Sequence, residues 1–199
     1  LNIDDLTCLP TDLDSPRSAL KQWVAQQGVS GAECYPVLSP SQVSVLQIER
    51  PPVPDDELED AARWQIKDSL DYPIGDAIVD TFPVPSDAHR GTQDMLNVVA
   101  VQRHDIEELV DWVRHAGLVI SAIDVPEMVF RNVASLYAEE GRSIGLFVFD
   151  ETAGTICVYK NDELYLSRRI GSMGFGGEEP ADIEQICLEI QRSHLRAMQ

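Results

Sequence analysis

The chain has 199 residues, of which 44% are hydrophobic, so it is long enough for one large domain or two small domains with a sizeable core. Its formal net charge of −19 argues against nucleic acid and anionic lipid as partners, because both are bound mainly through lysine and arginine. No apolar run approaches the roughly 20 residues of a membrane span. Composition and periodicity together indicate an acidic, soluble α/β protein with no nucleic-acid partner and no direct membrane insertion.

Helix and strand patterns alternate through the first 117 residues. A proline at position 16 and a glycine at position 28 are typical of the start and end of a helix, and they bracket an amphipathic segment. The following patterns predict, in order, a strand, a helix, two strands and a helix. These five elements are predicted over residues 42–49, 54–70, 76–82, 95–102 and 105–117.

The second part of the chain is dominated by strands. A strand over residues 118–124 and a helix from Pro126 to Glu140 come first. Three consecutive strands follow, and Asn161-Asp162 between the last two predicts a tight hairpin. A glycine-rich stretch then leads into a final predicted helix. The three strands are predicted over residues 144–150, 154–160 and 163–170.

Neither a metal site nor a nucleophile is indicated by the residue patterns. The four cysteines form no C-x-x-C pair, which favours reduced thiols in a cytosolic setting. No G-x-S-x-G motif is present. The tryptophans Trp23, Trp64 and Trp112 all fall on predicted helices. We interpret them as core or subdomain-interface residues rather than as binding aromatics.

Three stretches of the chain, in this order, resemble the PilM/MshI family of pilus-assembly proteins. In the first, residues 57–76, an acidic helix with an Arg-Trp pair runs into a proline-containing turn. Residues 96–126 and 146–171 are similar to the strand, helix and strand that follow in that family and to its second-domain meander. The divergent, acidic character is most similar to MshI, the relative that serves mannose-sensitive haemagglutinin (MSHA) pili.

The resemblance implies a partial actin-like (FtsA/PilM-like) fold of mixed α/β class. Residues 1–49 and 118–142 would form the first-domain core, and residues 50–117 would form an inserted α+β subdomain. Residues 143–199 would be the β-meander and helix that open the second domain. We expect the chain to be part of a longer protein, with further first-domain strands before it and most of the second domain after it.

Actin-fold ATPases hold phosphates with hairpin loops whose small residues let backbone N–H groups approach the ligand. The resemblance places one such loop at Asp150, Thr152, Gly154 and Thr155, with Thr152 where a glycine is usual. An ordinary hairpin turn accounts for the same residue types. The other loop would precede residue 1. We therefore expect no catalytic site in this chain and no cofactor, with ATP and magnesium only in a longer parent protein.

The function that the resemblance implies is that of a cytoplasmic scaffold, peripheral to the inner membrane through a partner. It would bind the N-terminal cytoplasmic peptide of a PilN- or MshJ-like inner-membrane pilus protein, and an assembly ATPase is a further candidate partner. The predicted site is a groove between the inserted subdomain and the first-domain sheet. Strand alternation predicts four residues that would line this groove, and a plain core position is the alternative for each of them. The four residues are Val45, Ile48, Leu96 and Val98.

Two alternatives stay open. One is an actin-like, nucleotide-dependent switch with Asp150 and Thr155 at the phosphates. The other is a component similar to the cytoplasmic part of the type II secretion protein GspL, which would bind a secretion ATPase.

Overall fold

The computed structural model of the chain describes residues 16–88, 93–149 and 154–170. By their contacts, these residues form two compact units. The first comprises residues 16–37 and Arg103–Asp124, and the second comprises Leu38–Gln102 and residues 125–170. The predicted glycine-rich stretch and final helix lie outside the described residues.

Two helices form the body of the first unit. Helix α1 (Pro16–Gln27) packs against helix α3 (Arg103–His115). Ala19, Val24 and Val113 are buried there, and an ion pair joins Arg17 Nη1 to Asp111 Oδ2 at 2.9 Å. The apolar stripes of two helices that begin about 90 residues apart in the chain therefore cover each other.

Each of these helices ends at a glycine with a left-handed backbone. Gly28 has φ +66° and Gly117 has φ +85°. After Gly28 the N–H group of Val29, and after Gly117 the N–H group of Leu118, donates a hydrogen bond of 3.2 Å to the carbonyl oxygen five residues earlier. This is the Schellman arrangement, which requires a residue that adopts positive φ at low cost. The predicted ends of both helices are confirmed.

A short parallel strand pair accompanies the two helices. Strand β1 (Glu33–Cys34) pairs with β5 (Val119–Ile120), and an isolated bridge between Val37 and Asp124 continues the pairing. The predicted strand over residues 118–124 is therefore confirmed in place but is shorter. No prediction was made for β1, because two residues show no alternation of apolar and polar side chains.

The second unit contains an antiparallel sheet in the order β2–β4–β3, formed by Val43–Glu49, Met95–Gln102 and Ala77–Pro83. Helix α2 (Leu58–Ile66) covers one face, between two 3₁₀ turns at Asp55–Glu57 and Lys67–Ser69. Four strand and helix predictions are confirmed here. The shared core contains Leu58, Ala62, Ile66, Ala77, Val79, Leu96, Val98 and Ala100.

The same unit contains a meander in the order β6–β7–β8, formed by Ile144–Phe149, Gly154–Lys160 and Glu163–Ile170. Asn161 and Asp162 at the last turn have φ values of 52° and 62°, which confirms the predicted tight hairpin. Helix α4 (Pro126–Ser135) packs on one face. The core between α4 and the meander contains Ala134, Cys157, Tyr159 and Leu164.

Helix α4 is shorter than predicted. It ends at Ser135 rather than near Glu140, and the stripe residues Leu136 and Tyr137 are exposed. Helical spacing of apolar residues extends a helix only where the stripe gains packing energy. These two side chains are not buried, so spacing alone overestimated the length.

The two units differ from the predicted domain boundaries. Strand β2, assigned to the first-domain core, pairs with β4 in register from Val43↔Val101 to Glu49↔Met95. Helix α3, assigned to the inserted subdomain, packs on α1. Sequence patterns indicate where elements lie but not which element each one contacts. The domain assignment stays a prediction about the longer fold.

Candidate functional site

Among the described residues, no helix combines the length and apolar character that crossing a bilayer requires. In the same part of the chain, no group of three histidine, cysteine or acidic side chains is close enough together to hold a metal ion.

Gly154 and Thr155, two of the four predicted phosphate-loop residues, are the first residues of β7 and are buried. Gly154 pairs with Phe149 on β6 and with Ile170 on β8. Thr155 is paired on both sides in the same way. Since β7 is the central strand, the backbone groups of both residues lie within the two ladders rather than in an open loop.

The remaining loop residues, Asp150 and Thr152, lie outside the described residues. Gly154 and Thr155 do not by themselves form a phosphate cradle, because such a cradle needs several N–H groups that converge on open space. We therefore assign no nucleotide chemistry to them, and ATP binding stays a matter for experiment.

A shallow surface depression with an enclosed volume of only about 10 Å³ lies beside the end of β7. Arg131, Arg142 and Lys160 line it, which is unusual for so acidic a chain. Arg142 pairs with Glu139 at 2.6 Å, and Lys160 pairs with Asp87 at 2.8 Å. Small-molecule sites usually measure about 300 to 1,000 Å³. The depression is too small to enclose a nucleotide, and two of the three cations that line it are already paired with carboxylates.

The four residues nominated for the partner groove do not share one face of their sheet. Leu96 and Val98 are 1% and 0% exposed and lie in the core under α2, where Ile48 also packs. Val45 pairs with Val99 and points to the opposite face. Leu96 and Val98 offer no exposed surface to a peptide, whereas Val45 and Ile48 are partly exposed. The groove itself stays a prediction.

Sequence reasoning missed a buried polar cluster on α4. Glu127 is only 7% exposed. Its Oε1 accepts a hydrogen bond from Ser167 Oγ at 3.2 Å, and its backbone oxygen accepts one from Tyr159 Oη at 2.6 Å. Its Oε2 makes no hydrogen bond to the described residues. A glutamate next to Pro126 at a helix start is ordinarily solvated, so the sequence carries no signal of this burial.

Burial controls the protonation of this cluster. Desolvation raises the pKa of Glu127, despite hydrogen bonds from the backbone and Ser167 and the nearby charge of Arg169. It also raises the pKa of Cys157 to about 11. A thiol with so high a pKa is protonated at neutral pH and is a poor nucleophile or metal ligand. The hydrogen bonds of Glu127 to Tyr159 and Ser167 hold α4 on the meander.

A second polar cluster joins the loop after β3 to the β7–β8 hairpin. Asp87 accepts hydrogen bonds from Lys160 Nζ at 2.8 Å and from Tyr165 Oη at 2.6 Å. These two hydrogen bonds lower the pKa of Asp87, that from Lys160 most strongly. Lys160 Nζ also lies 5.5 Å from the centroid of the Tyr165 ring. The side chain of Gln47 on β2 donates to Tyr165 O at 3.2 Å, so these three hydrogen bonds tie the two sheets together.

Trp64 is not a core residue, so of the two roles expected for it only that at a subdomain interface stays a prediction. Its side chain is 64% exposed, because α2 turns Leu58, Ala62 and Ile66 to the core and Trp64 to the opposite side. Trp23 and Trp112, in contrast, are partly buried on α1 and α3.

Comparisons with known proteins place this geometry in a known fold. No protein-family model and no curated protein sequence matches the chain. Among solved structures, the PilM–PilN type IV pilus biogenesis complex matches with a TM-score of 0.66 and 20% identity, over 96% of this chain and 62% of that chain. The cytoplasmic domain of EpsL, an inner-membrane component of the type II secretion system of Vibrio cholerae, matches with a TM-score of 0.51 and 14% identity, over 78% and 56%.

A third solved structure is a Bacteroides thetaiotaomicron protein of unknown function with an actin-like ATPase fold, at a TM-score of 0.46, 10% identity and coverage of 94% and 76%. The chain spans less than two thirds of the length of the first two structures. At these identities the likeness concerns the fold. The predicted mixed α/β class and the PilM-like fold are confirmed by the match to the PilM–PilN structure, which covers nearly all of this chain.

Proposed function

We propose that this chain belongs to a scaffold protein of a type IV pilus assembly machine. The match to the PilM–PilN structure over 96% of the chain is the observation that carries the proposal. The proposed location is the cytoplasmic side of the inner membrane, where a membrane partner would hold the protein. The acidic character favours the MSHA type of pilus, which the family resemblance of the sequence also indicates.

The proposed partner segment is the N-terminal cytoplasmic peptide of a PilN- or MshJ-like membrane protein. Cytoplasmic segments beside membrane spans are commonly basic, so a net charge of −19 would raise the rate of encounter. Affinity would come from an extended peptide that adds to a strand. Among the described residues, β2 is an edge strand, and Val45 and Ile48 on it are partly exposed.

A secretion scaffold similar to EpsL is the second candidate, because that domain also shares the fold. The pilus function is preferred since the PilM–PilN match covers more of this chain, 96% against 78%. The two candidates predict different partners: a short membrane-proximal peptide in the first case and a secretion ATPase in the second.

Peptide titration tests the proposal. A fluorescently labelled N-terminal peptide of a PilN- or MshJ-like protein should bind the chain with micromolar affinity, as followed by fluorescence anisotropy. A scrambled peptide of the same composition is the control for charge. Methylation of alternate backbone nitrogens in the peptide should abolish binding, because strand addition depends on main-chain hydrogen bonds.

A Val45→Glu variant that keeps the wild-type circular dichroism spectrum should bind the peptide more weakly. Equal binding of the native and scrambled peptides would contradict the proposal. Binding of a secretion-ATPase domain in place of the peptide would favour the EpsL-like function.

A further inference from the structure

Trp64 stands on the outer side of α2 with most of its ring in water. The helix buries Leu58, Ala62 and Ile66 in the sheet core, and Trp64 is 64% exposed. The exposed part of so large an apolar side chain gains no burial energy within the second unit. Tryptophan is strongly enriched among the residues that dominate binding energy at protein interfaces.

The surroundings of Trp64 are acidic. Asp60 lies one helical turn before it, and Asp68 follows in the 3₁₀ turn at the end of α2; both are exposed. Residues one turn apart are neighbours on a helix surface. Lys67 is a nearby cation, but the stretch from Asp55 to Asp71 contains seven carboxylates against two basic side chains. We call Asp60, Trp64 and Asp68 the Trp64 face.

An indole ring flanked by carboxylates has the chemistry of a site for a cation on an extended side chain. A guanidinium or ammonium group over the ring face gains cation–π energy, and carboxylates at the ring edge pair with its N–H groups. A second copy of this chain fits poorly, because two acidic helices would repel each other. An anionic membrane fits poorly for the same reason.

We propose that the Trp64 face binds a cationic peptide segment of a partner protein, with an arginine or lysine side chain stacked on the indole between Asp60 and Asp68. This surface is formed by α2, whereas the site considered above is the edge of β2. The proposal therefore stands whichever pilus or secretion component binds at that edge.

The first test uses a fluorescein-labelled octapeptide of alternating glycine and arginine as the probe, titrated with the chain and followed by anisotropy. Trp64→Ala should weaken binding about tenfold, since a desolvated cation–π contact is worth on the order of one tenfold step. Trp64→Phe should retain part of the affinity. Tyr137→Ala is the matched control, because Tyr137 is a 72% exposed aromatic just after the end of α4, and it should bind as the wild type does.

The second test separates the face from the overall charge. The double variant Asp60→Asn/Asp68→Asn and the double variant Glu107→Gln/Glu108→Gln remove the same charge from two exposed helix surfaces, on α2 and α3. The first should lose several-fold in affinity and the second much less. All variants change exposed side chains, and circular dichroism verifies that each is folded.

Three results would overturn the proposal. Wild-type affinity in Trp64→Ala would exclude the ring, and equal losses in the two double variants would show that the probe senses net charge alone. Light scattering could also show that the wild type is a dimer and that Trp64→Ala is a monomer, in which case the face binds a second copy instead.

Discussion

The carboxyl group of Glu127 is buried on α4 against Ser167 of β8, and this position determines when it ionises. Water would stabilise its charge better than one serine hydroxyl and the more distant Arg169 do. The proton is therefore held more tightly in the folded protein than in the unfolded chain. Ionisation of this single residue is linked to the stability of the second unit.

The variant Glu127→Gln measures that link. Below the ordinary glutamate pKa of 4.5, both states of the wild type are protonated, and the burial of Glu127 has its full benefit. As the pH rises through the raised pKa of the folded state, the unfolded chain holds fewer protons than the folded protein, and the free energy of unfolding falls. Glutamine does not ionise, so the stability of the variant relative to wild type should rise with pH and then level off.

Urea denaturation of both proteins between about pH 4 and pH 8 gives this difference. Glu107→Gln, at an exposed position on α3, is the control for the loss of one carboxylate from the chain. A difference for Glu127→Gln that is constant over the whole range would contradict the link.

The β7–β8 hairpin shows how strongly a single element depends on its turn. Asn161 and Asp162 both adopt left-handed backbone angles, as a two-residue turn of this kind requires. Asparagine tolerates that region, and glycine is preferred over aspartate at the second position. The hairpin therefore carries a small conformational cost at Asp162.

Replacement of Asp162 by glycine should raise the free energy of unfolding by about 0.5 kcal/mol, after the larger unfolded-state entropy of glycine is included. Replacement by alanine should lower it by about 1 kcal/mol, because its Cβ is crowded at positive φ. Thermal and urea denaturation of the three proteins check both values. If the alanine variant is as stable as the glycine variant, the turn does not have this conformation in solution.

The elements that the sequence predicts best are those whose pattern is local. Alternation and β-branched residues predict Met95–Gln102, Gly154–Lys160 and Glu163–Ile170 with the bounds found in the structure. The partners of these strands follow from long-range packing, and no local pattern shows that β2 pairs with β4. For the same reason the burial of Glu127 and the exposure of Trp64 could not be predicted: each depends on which side of its helix meets a sheet.

For the whole molecule, likeness in fold and the ability to bind a nucleotide are separate properties. The chain is similar to PilM over 96% of its length, and that likeness extends to the fold. The phosphate loop predicted from the family resemblance has two of its residues in the central strand of a sheet and two outside the described residues. The fold that the chain shares with the PilM–PilN structure therefore does not by itself supply a nucleotide site.

Calorimetric titration of the chain with ATP and magnesium should show no binding in the micromolar range. The expected reason is that Gly154 and Thr155 lie within strand ladders. Titration with inorganic phosphate is a control for weak anion binding at the depression that Arg131, Arg142 and Lys160 line. Micromolar affinity for ATP, lost in a Thr155→Ala variant that remains folded, would instead favour the nucleotide-dependent switch.

The ladder between β2 and β4 has a consequence for the order in which a growing polypeptide folds. It pairs Val43 with Val101. These two residues lie near the beginning and the end of residues 38–102, which separate the two halves of the first unit in the chain. A nascent chain that has emerged as far as Gln102 contains all three strands and α2, and so the whole core that they share. Once this sheet has formed, the flexible part of the chain between α1 and α3 is much shorter. The association of α3 with α1 therefore costs less conformational entropy than it would in a chain without the sheet. The helices of the first unit can thus associate soon after α3 is synthesised, although α1 precedes it by most of a hundred residues.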